Sequence, residues 1–274
     1  MRLTVRPAPK NNHPASTPDL DAAVSIQQLT VSYGAVEAVR DVSLDLAPAS
    51  IVAIIGPNGS GKSTLLSSIS GLVAPSSGRV LVHGHTPHRG RRRVAHVLQA
   101  TIANDALPLT VLETVRMGCY AHSGVLRRLT AQDRTAVSEA IGQMRLGDLT
   151  SRQLHELSGG QRQRTFVAQG LAQQADVLLL DEPITGLDLI AQETITTVMA
   201  TERAKGRTVV LTTHDVGTAR LADQVVLIAT NLVAAGPPSE VLTAEHLATA
   251  YGGHLHVLDD GSVVLDDPNQ HRHN

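Results

Sequence analysis

The chain is poor in rings and in sulfur. Its 274 residues include one Phe, three Tyr and no Trp, and Cys119 is its single cysteine. One cysteine excludes an internal disulfide, and the start of the chain does not read as a secretory signal, so a reducing cytosolic compartment is expected. Scarce aromatics remove the stacking platforms used by single-strand binders, and a formal net charge of only -2 supplies no basic field. Nucleic acid is therefore not expected as a partner. No run approaches the roughly 18 consecutive apolar residues that a membrane helix needs, so any membrane involved is expected to belong to a partner. Residues 1–22 carry Arg2, Arg6 and Lys10 among Pro, Asn, Ser and Thr, and they read as a disordered extension. Of the C-terminal tail 259–274, the polar part past Asp266 reads the same way. The rest is long enough for one large α/β domain with a subdomain.

What the chain has is a phosphate loop. Gly56-Pro57-Asn58-Gly59-Ser60-Gly61-Lys62-Ser63-Thr64 fits G-x-x-x-x-G-K-[ST] and lies between the apolar run Ile51 to Ile55 and an amphipathic segment opening at Leu65-Leu66. That order predicts strand, loop, helix. The glycines let successive N–H groups converge on a phosphate, and the helix adds the positive end of its dipole. Lys62 then reaches the terminal phosphates, Ser63 offers a hydroxyl to Mg²⁺, and Thr64 can bond an inner phosphate.

Upstream, alternation from Val24 to Leu46 predicts an antiparallel pair or meander before the phosphate-loop strand, with Tyr33 at its turn. In isolation such a tyrosine reads as a half-buried edge residue. Ahead of a phosphate loop, in a chain nearly without aromatics, it is the candidate platform for adenine. Downstream, strands are expected at Arg79 to Val82 and Val94 to Leu98, with Gln99 at the end of the second. The intervening loop from His83 to Arg93, rich in His and Arg, reads as solvated and basic, since spacing alone supplies no convergent metal ligands. The scattered His254, His256, His271 and His273 read the same way. Thr110-x-x-Glu113 and Thr130 open helices, so about 104–165 is expected to be a helical subdomain inserted between α/β stretches.

Leu157-Ser158-Gly159-Gly160-Gln161 follows. Ser158 and Gln161 form a capping box, which needs no Gly-Gly pair, so the glycines suggest a second phosphate-binding helix start. One site does not easily use two such ends of a single chain, which points to a composite site. The run Val177 to Leu180 ends in Asp181-Glu182, as expected for a buried parallel strand whose carboxyl end faces a ligand. Asp181 is placed near Mg²⁺ and Glu182 at an attacking water, by the logic of phosphoryl transfer. Thr185-Gly186-Leu187-Asp188 leads into a helix to Lys205. Thr208 to Thr213 is a buried strand with His214 at its end, within reach of a γ-phosphate. Strands at Val225 to Ile228 and Leu232 to Ala235 and one helix from Ser239 through Ala250 complete the layer.

With these residues together, 23–258 resembles the ATP-binding subunit of an ABC transporter, a P-loop NTPase (RecA-like) core with an antiparallel β subdomain and an inserted helical subdomain. The signature Leu157 to Gln161 separates this family from GTPases and kinases. The stretches Leu107 to Val111, Met117-Gly118, Gly236 to Leu242 and Tyr251 to Gly253 are similar to the bacterial manganese/zinc/iron branch of metal importers. Two positions depart from the family pattern: Leu98 stands where proline is usual, and Gln169-Gly170 replace Arg-Ala. The resemblance implies ATP and Mg²⁺ as cofactors and a head-to-tail homodimer on transmembrane permease subunits at the cytoplasmic face of the membrane, with an extracytoplasmic substrate-binding protein acting indirectly. It also implies adenine stacking by Tyr33, phosphate contacts from Gly56 to Thr64, and Mg²⁺ held by Ser63, Gln99 and Asp181. Glu182 is the implied general base and His214 the γ-phosphate partner, while Ser158, Gly159, Gly160, Gln161 and Asp188 act on the neighbour's nucleotide. An importer of iron-siderophore complexes, an exporter, and a soluble non-transport ABC ATPase remain as alternatives at this point. The last usually carries coiled-coil arms or a second cassette, and this chain has one motif set and no sustained heptads.

Overall fold

The computed structural model describes residues 22–87, 92–98, 108–120 and 128–252, with the backbone alone at 255–257 and 263–265. Gln99, residues 88–91 of the basic loop, part of the 104–165 segment, the N-terminal extension before residue 22, and His254, His271 and His273 of the tail lie outside the described residues. Two long alternating strands, β1 (Val24–Tyr33) and β2 (Val36–Leu46), pair antiparallel. They bury Ile26, Leu29, Val31, Val42 and Leu46, and a register shift between Ile26 and Leu29, where Gln28 has φ +47°, absorbs the odd spacing of these two. They do not join the strand that follows. With β4 (Ser77–Val82) they form their own sheet, in the order β2-β1-β4.

The larger sheet holds β5 (Val94–Val97), β6 (Val177–Leu180), β7 (Thr208–Thr213), β3 (Ile51–Ile55), β8 (Gln224–Ala229) and β9 (Asn231–Gly236), in that spatial order. Neighbours are parallel up to β8, and β9 is antiparallel. Every residue of β3, β6 and β7 is buried, because both faces of a parallel sheet are covered. Ile51, Ala53 and Ile55 join one core with the helical segment. Val52 and Ile54 join the other with the antiparallel sheet and α1 (Lys62–Ser70). Both cores are filled by Ile, Leu, Val and Ala, with Met144 and Met199 in the first, which is how the chain does with so few aromatic rings.

Helix starts follow their caps. Thr110 and Glu113 close a capping box on α2 (Val111–Met117), and Thr130 and Asp133 do the same on α3 (Ala131–Gln143). Short 3₁₀ turns at Gly147–Leu149 and Leu154–Glu156 lead to α4 (Gly159–Ala172). The Leu154 N–H donates to Leu109 O and the Val111 N–H to Arg152 O, so the ends of this helical segment are tied to each other. Its Val111, Val115, Val137, Ile141 and Met144 pack into the same core as Ala95, Val97 and Leu178 of the sheet. After α5 (Leu189–Ala204) and α6 (Val216–Ala219) comes a difference from expectation. The single helix from Ser239 through Ala250 is two, α7 (Pro238–Val241) and α8 (Ala244–Tyr251), because Thr243 leaves helical geometry to cap α8 through the His246 N–H. A small hairpin of β10 (Leu255–Val257) and β11 (Val263–Leu265) follows.

The two departures from the family pattern are neighbours in space. A Cβ at Gly170 would stand 2.6 Å from Val97 Cγ2 and 3.2 Å from Leu178 Cδ1, so the glycine lets α4 lie against β5 just before Leu98. Gly170→Ala is expected to overpack this seam by about 1–3 kcal/mol, offset by about 1 kcal/mol of helix propensity. Its effect should couple to Val97→Ala: in urea unfolding the double variant loses less stability than the sum of the singles. Cys119 is fully buried, with Sγ 3.6 Å from Ala172 O and 3.8 Å from Asp133 O. Burial, with the Asp133 charge second, pushes its thiol up to about 11. The native protein is expected to resist iodoacetamide at pH 8 and to react only as it unfolds; prompt alkylation of the folded protein would contradict this burial.

Candidate functional site

Three neighbouring parallel strands, β6, β7 and β3, finish at one edge of the sheet. β3 and β7 end level at Ile55↔Thr213, and the ladder of β6 ends two residues earlier, at Leu180↔Leu211. Asp181-Glu182, His214 and Gly56 are the residues that follow, so chemistry from three distant stretches converges at the carboxyl edge, as open α/β sheets require.

The phosphate loop is fastened on several sides. A Cβ at Gly56 would lie 2.0 Å from Ile228 O and 2.7 Å from Ser60 Oγ. Gly61 has φ +96°, and a Cβ there would meet Ala38 O at 2.3 Å. No side chain can be carried at either position without moving backbone. The Ser60 N–H donates to Pro57 O, while Ser60 O accepts from the Thr230 N–H and Thr230 O accepts from the Arg40 N–H. The loop is thus hung between β2 and the β8–β9 turn. Asn58 and Gly59 are exposed at its crest, and Ser60 is buried with Oγ lacking a hydrogen-bond partner. α1 begins at Gly61 without a side-chain cap, leaving its first N–H groups to the loop's concavity. Lys62 is 7% exposed, and its Nζ donates to Gly56 O (2.8 Å) and Pro57 O (3.0 Å). Thr64 is half-buried one turn into the same helix. Tyr33 ends β1 with its side chain mostly exposed, on the hairpin whose second strand crosses Gly61.

Ser63 Oγ donates to Asp181 Oδ1 at 3.1 Å, and Thr212 Oγ1 donates to the same oxygen at 2.6 Å. The Glu182 N–H donates to Thr212 Oγ1 at 2.9 Å, and Glu182 has φ +45°, in the left-handed region. Its carboxylate stands 3.9 Å from His214 Nδ1, an ion-pair distance. His214 holds the Glu182 carboxyl below its usual value, helped by Lys62 and Thr185 against the opposing effect of burial. Reciprocally, Glu182 raises His214 above 6.5, again against burial. Both shifts favour the charged pair.

The signature residues form a second constellation. Ser158 Oγ accepts from the Gln161 N–H and Gln161 Oε1 accepts from the Ser158 N–H, closing the expected capping box. Its two glycines differ. Gly159 is exposed, with nothing within 4 Å of a would-be Cβ, whereas a Cβ at Gly160 would stand 2.8 Å from Asp188 Oδ2 and 3.2 Å from Ala191 Cβ. Asp188 Oδ1 meanwhile accepts from the Ala191 N–H at 2.8 Å and caps α5. Gly160 therefore joins the signature to Asp188 within one chain. The hydrogen bonds of this constellation run to α4 and α5, while those of the phosphate loop run to β2, the β8–β9 turn and Asp181.

Sequence reasoning passed over Thr212 and Thr230. A threonine inside the apolar strand Thr208 to Thr213 was the available signal for Thr212, since a buried hydroxyl needs partners. Thr230 acts through its backbone, at φ +66°, and its side-chain identity carries no such signal. Among the described residues no group of three His, Cys, Asp or Glu gathers to hold a metal, and no helix is long and apolar enough to cross a membrane.

Comparison with known proteins agrees with this geometry. Residues 39–185 match the ABC transporter family. The chain is 38% identical over 234 residues to the zinc transport system ATP-binding protein TroB of Treponema pallidum, covering 85% of this chain and 88% of that protein. It is 37% identical over 238 residues to the manganese transport system ATP-binding protein MntB of Bacillus subtilis, covering 86% and 95%. The solved dimeric structure of a bacterial ABC transporter cassette superposes with a TM-score of 0.70 at 26% identity, covering 78% of this chain and 98% of that one. Phosphate loop, paired acids, strand-end histidine and signature thus stand on the same α/β scaffold, and the chain belongs to the ABC transporter family as an ATP-hydrolysing, ATP-binding subunit.

Proposed function

We propose that this subunit energises import of a transition-metal ion of the manganese, zinc or iron group through a membrane permease. The observation that carries its ATPase chemistry is the meeting of Lys62, Ser63, Asp181, Glu182 and His214 at three adjacent strand ends. Asn58, Gly59 and Gly61 offer backbone N–H groups to the phosphates, Lys62 exchanges its two loop carbonyls for terminal phosphate oxygens, and Thr64 bonds an inner phosphate. Tyr33, exposed on its hairpin, stacks on adenine. Glu182, held ionised, takes a proton from water as the water oxygen bonds to the γ-phosphorus. The bond from that phosphorus to the bridging oxygen breaks, and ADP and phosphate leave. His214 steadies the γ-phosphate.

The donors suit Mg²⁺: the Ser63 hydroxyl and the Asp181 carboxylate are hard oxygens already within hydrogen-bond distance of each other, and Gln99 offers a third by its place in the sequence. Bound there, the ion supplies positive charge against the phosphoryl oxygens.

Ser158, Gly159, Gly160, Gln161 and Asp188 serve the nucleotide of a second copy in a head-to-tail homodimer. Two features support this: the likeness to a dimeric cassette, and the apolar Leu189 and Ile190, 82% and 61% exposed beside Asp188. ATP then draws the copies together because it contacts both, and hydrolysis removes those contacts. The helical segment and the Gln99 loop carry closure to the permease at the cytoplasmic face of the membrane, with a substrate-binding protein on the far side. The metal cargo is supported by relatives named for zinc and manganese transport.

Glu182→Gln is expected to bind ATP and to turn it over about 10²- to 10⁴-fold more slowly, accumulating a dimer in ATP that is visible by size-exclusion chromatography. Near-normal turnover would remove Glu182 from its role. For the cargo, deletion of the gene should lower cellular manganese, zinc or iron measured by elemental analysis, with complementation restoring it. Unchanged content of all three would reject metal import.

A further inference from the structure

We infer that Thr212 is a positioning residue for hydrolysis: one buried hydroxyl orients the Asp181 carboxylate and holds the backbone turn that aims Glu182. The inference rests on the proposed role of Glu182. Thr212 lies in β7, the strand between β6 and β3, with Ile54 as its partner on β3. Its side chain is fully buried. A threonine hydroxyl has one hydrogen to give and lone pairs to receive with, and here both uses are taken. It donates to Asp181 Oδ1 at 2.6 Å, the short distance expected for a bond to a carboxylate. It accepts from the Glu182 N–H at 2.9 Å.

The second bond matters because of where the chain goes after β6. Pairing of β6 with β7 ends at Leu180↔Leu211, so the Glu182 amide has passed the last ladder position. Glu182 then adopts φ +45°, a conformation disfavoured for a side chain with a Cβ and kept only where surroundings enforce it. Thr212 supplies that enforcement from the side, and through the same oxygen it is bonded to the carboxylate that also receives Ser63 Oγ. The position of one acid and the direction of the next are therefore coupled through a single atom. A threonine needed only to fill volume would be replaced by valine without consequence, because the two shapes match and only the hydroxyl differs.

The test uses the full chain with Thr212→Val and Thr212→Ser. In the wild-type protein without nucleotide, hydrogen exchange resolved to the Glu182 amide should be slow although the residue follows a strand end. Exchange at the rate of an open loop amide would overturn the inference without any variant. Thr212→Val should release that amide and lower kcat roughly tenfold to a hundredfold, the scale of a lost charge-assisted hydrogen bond, with the KM for ATP changed by less than about twofold. Thr212→Ser keeps both bonds and should restore amide protection and kcat; failure of serine to restore either would also overturn it, and this arm holds even if the valine variant does not fold. Glu182→Gln is measured alongside. If it retains turnover, the reading of Glu182 falls. If it is inactive while Thr212→Val matches wild type in exchange and kcat, the Thr212 inference falls alone.

Discussion

The parallel pairing of β7 between β6 and β3 is the constraint on which the site depends. β3 and β6 are unbroken apolar runs and β7 carries Val209 to Leu211 between threonines; all three are fixed by burial on both faces, and their ladders set Leu180 level with Leu211 and Ala53, and Ile55 level with Thr213. Gly56, Asp181-Glu182 and His214 directly beyond lie 125 and 32 positions apart along the chain, yet they meet because their strands end at the same edge of the sheet. A shift of one residue along β7 would turn every side chain to the opposite face and take His214 away from Glu182. The geometry of the candidate site is a by-product of hydrophobic register.

Around this edge the loops are held by contacts that glycine alone permits. Gly56 lies against Ile228 O, Gly61 against Ala38 O, and Gly160 against Asp188. The first two bind the phosphate loop to both sheets. The third binds the signature to the segment that caps α5, so one chain presents Ser158, Gly159 and Asp188 as a unit. The hydrogen bonds that hold this unit run to its own helices. That is what the proposed division of the site requires: each half held within its own chain, with the nucleotide as what the two halves have in common.

Much of this was legible in the sequence because the signals were local. The phosphate loop, the capping boxes at Thr110, Thr130 and Ser158, and the apolar run ending in Asp181-Glu182 each state their structure within a few residues. What was not legible depended on tertiary proximity. Nothing near Thr230 indicates that its backbone joins Ser60 to Arg40, and nothing near Thr212 indicates that its hydroxyl lies between two acids. The split of the last helix at Thr243 was a missed cap, with Pro238 starting one short helix and the threonine starting the next. The glycine at 170 has its partner far away in the chain, at Val97 opposite it.

The division of the site between two copies is most directly tested by mixed dimers carrying distinguishable tags. When one chain carries Lys62→Ala and the other Ser158→Arg, a head-to-tail arrangement leaves one complete site, and the purified mixed dimer should hydrolyse ATP. When both substitutions sit on one chain and the partner is wild type, each site has one broken half, and hydrolysis should fall to the level of the Lys62→Ala homodimer. The reverse order, activity in the second pair and none in the first, would mean that each chain completes its own site and would contradict the account.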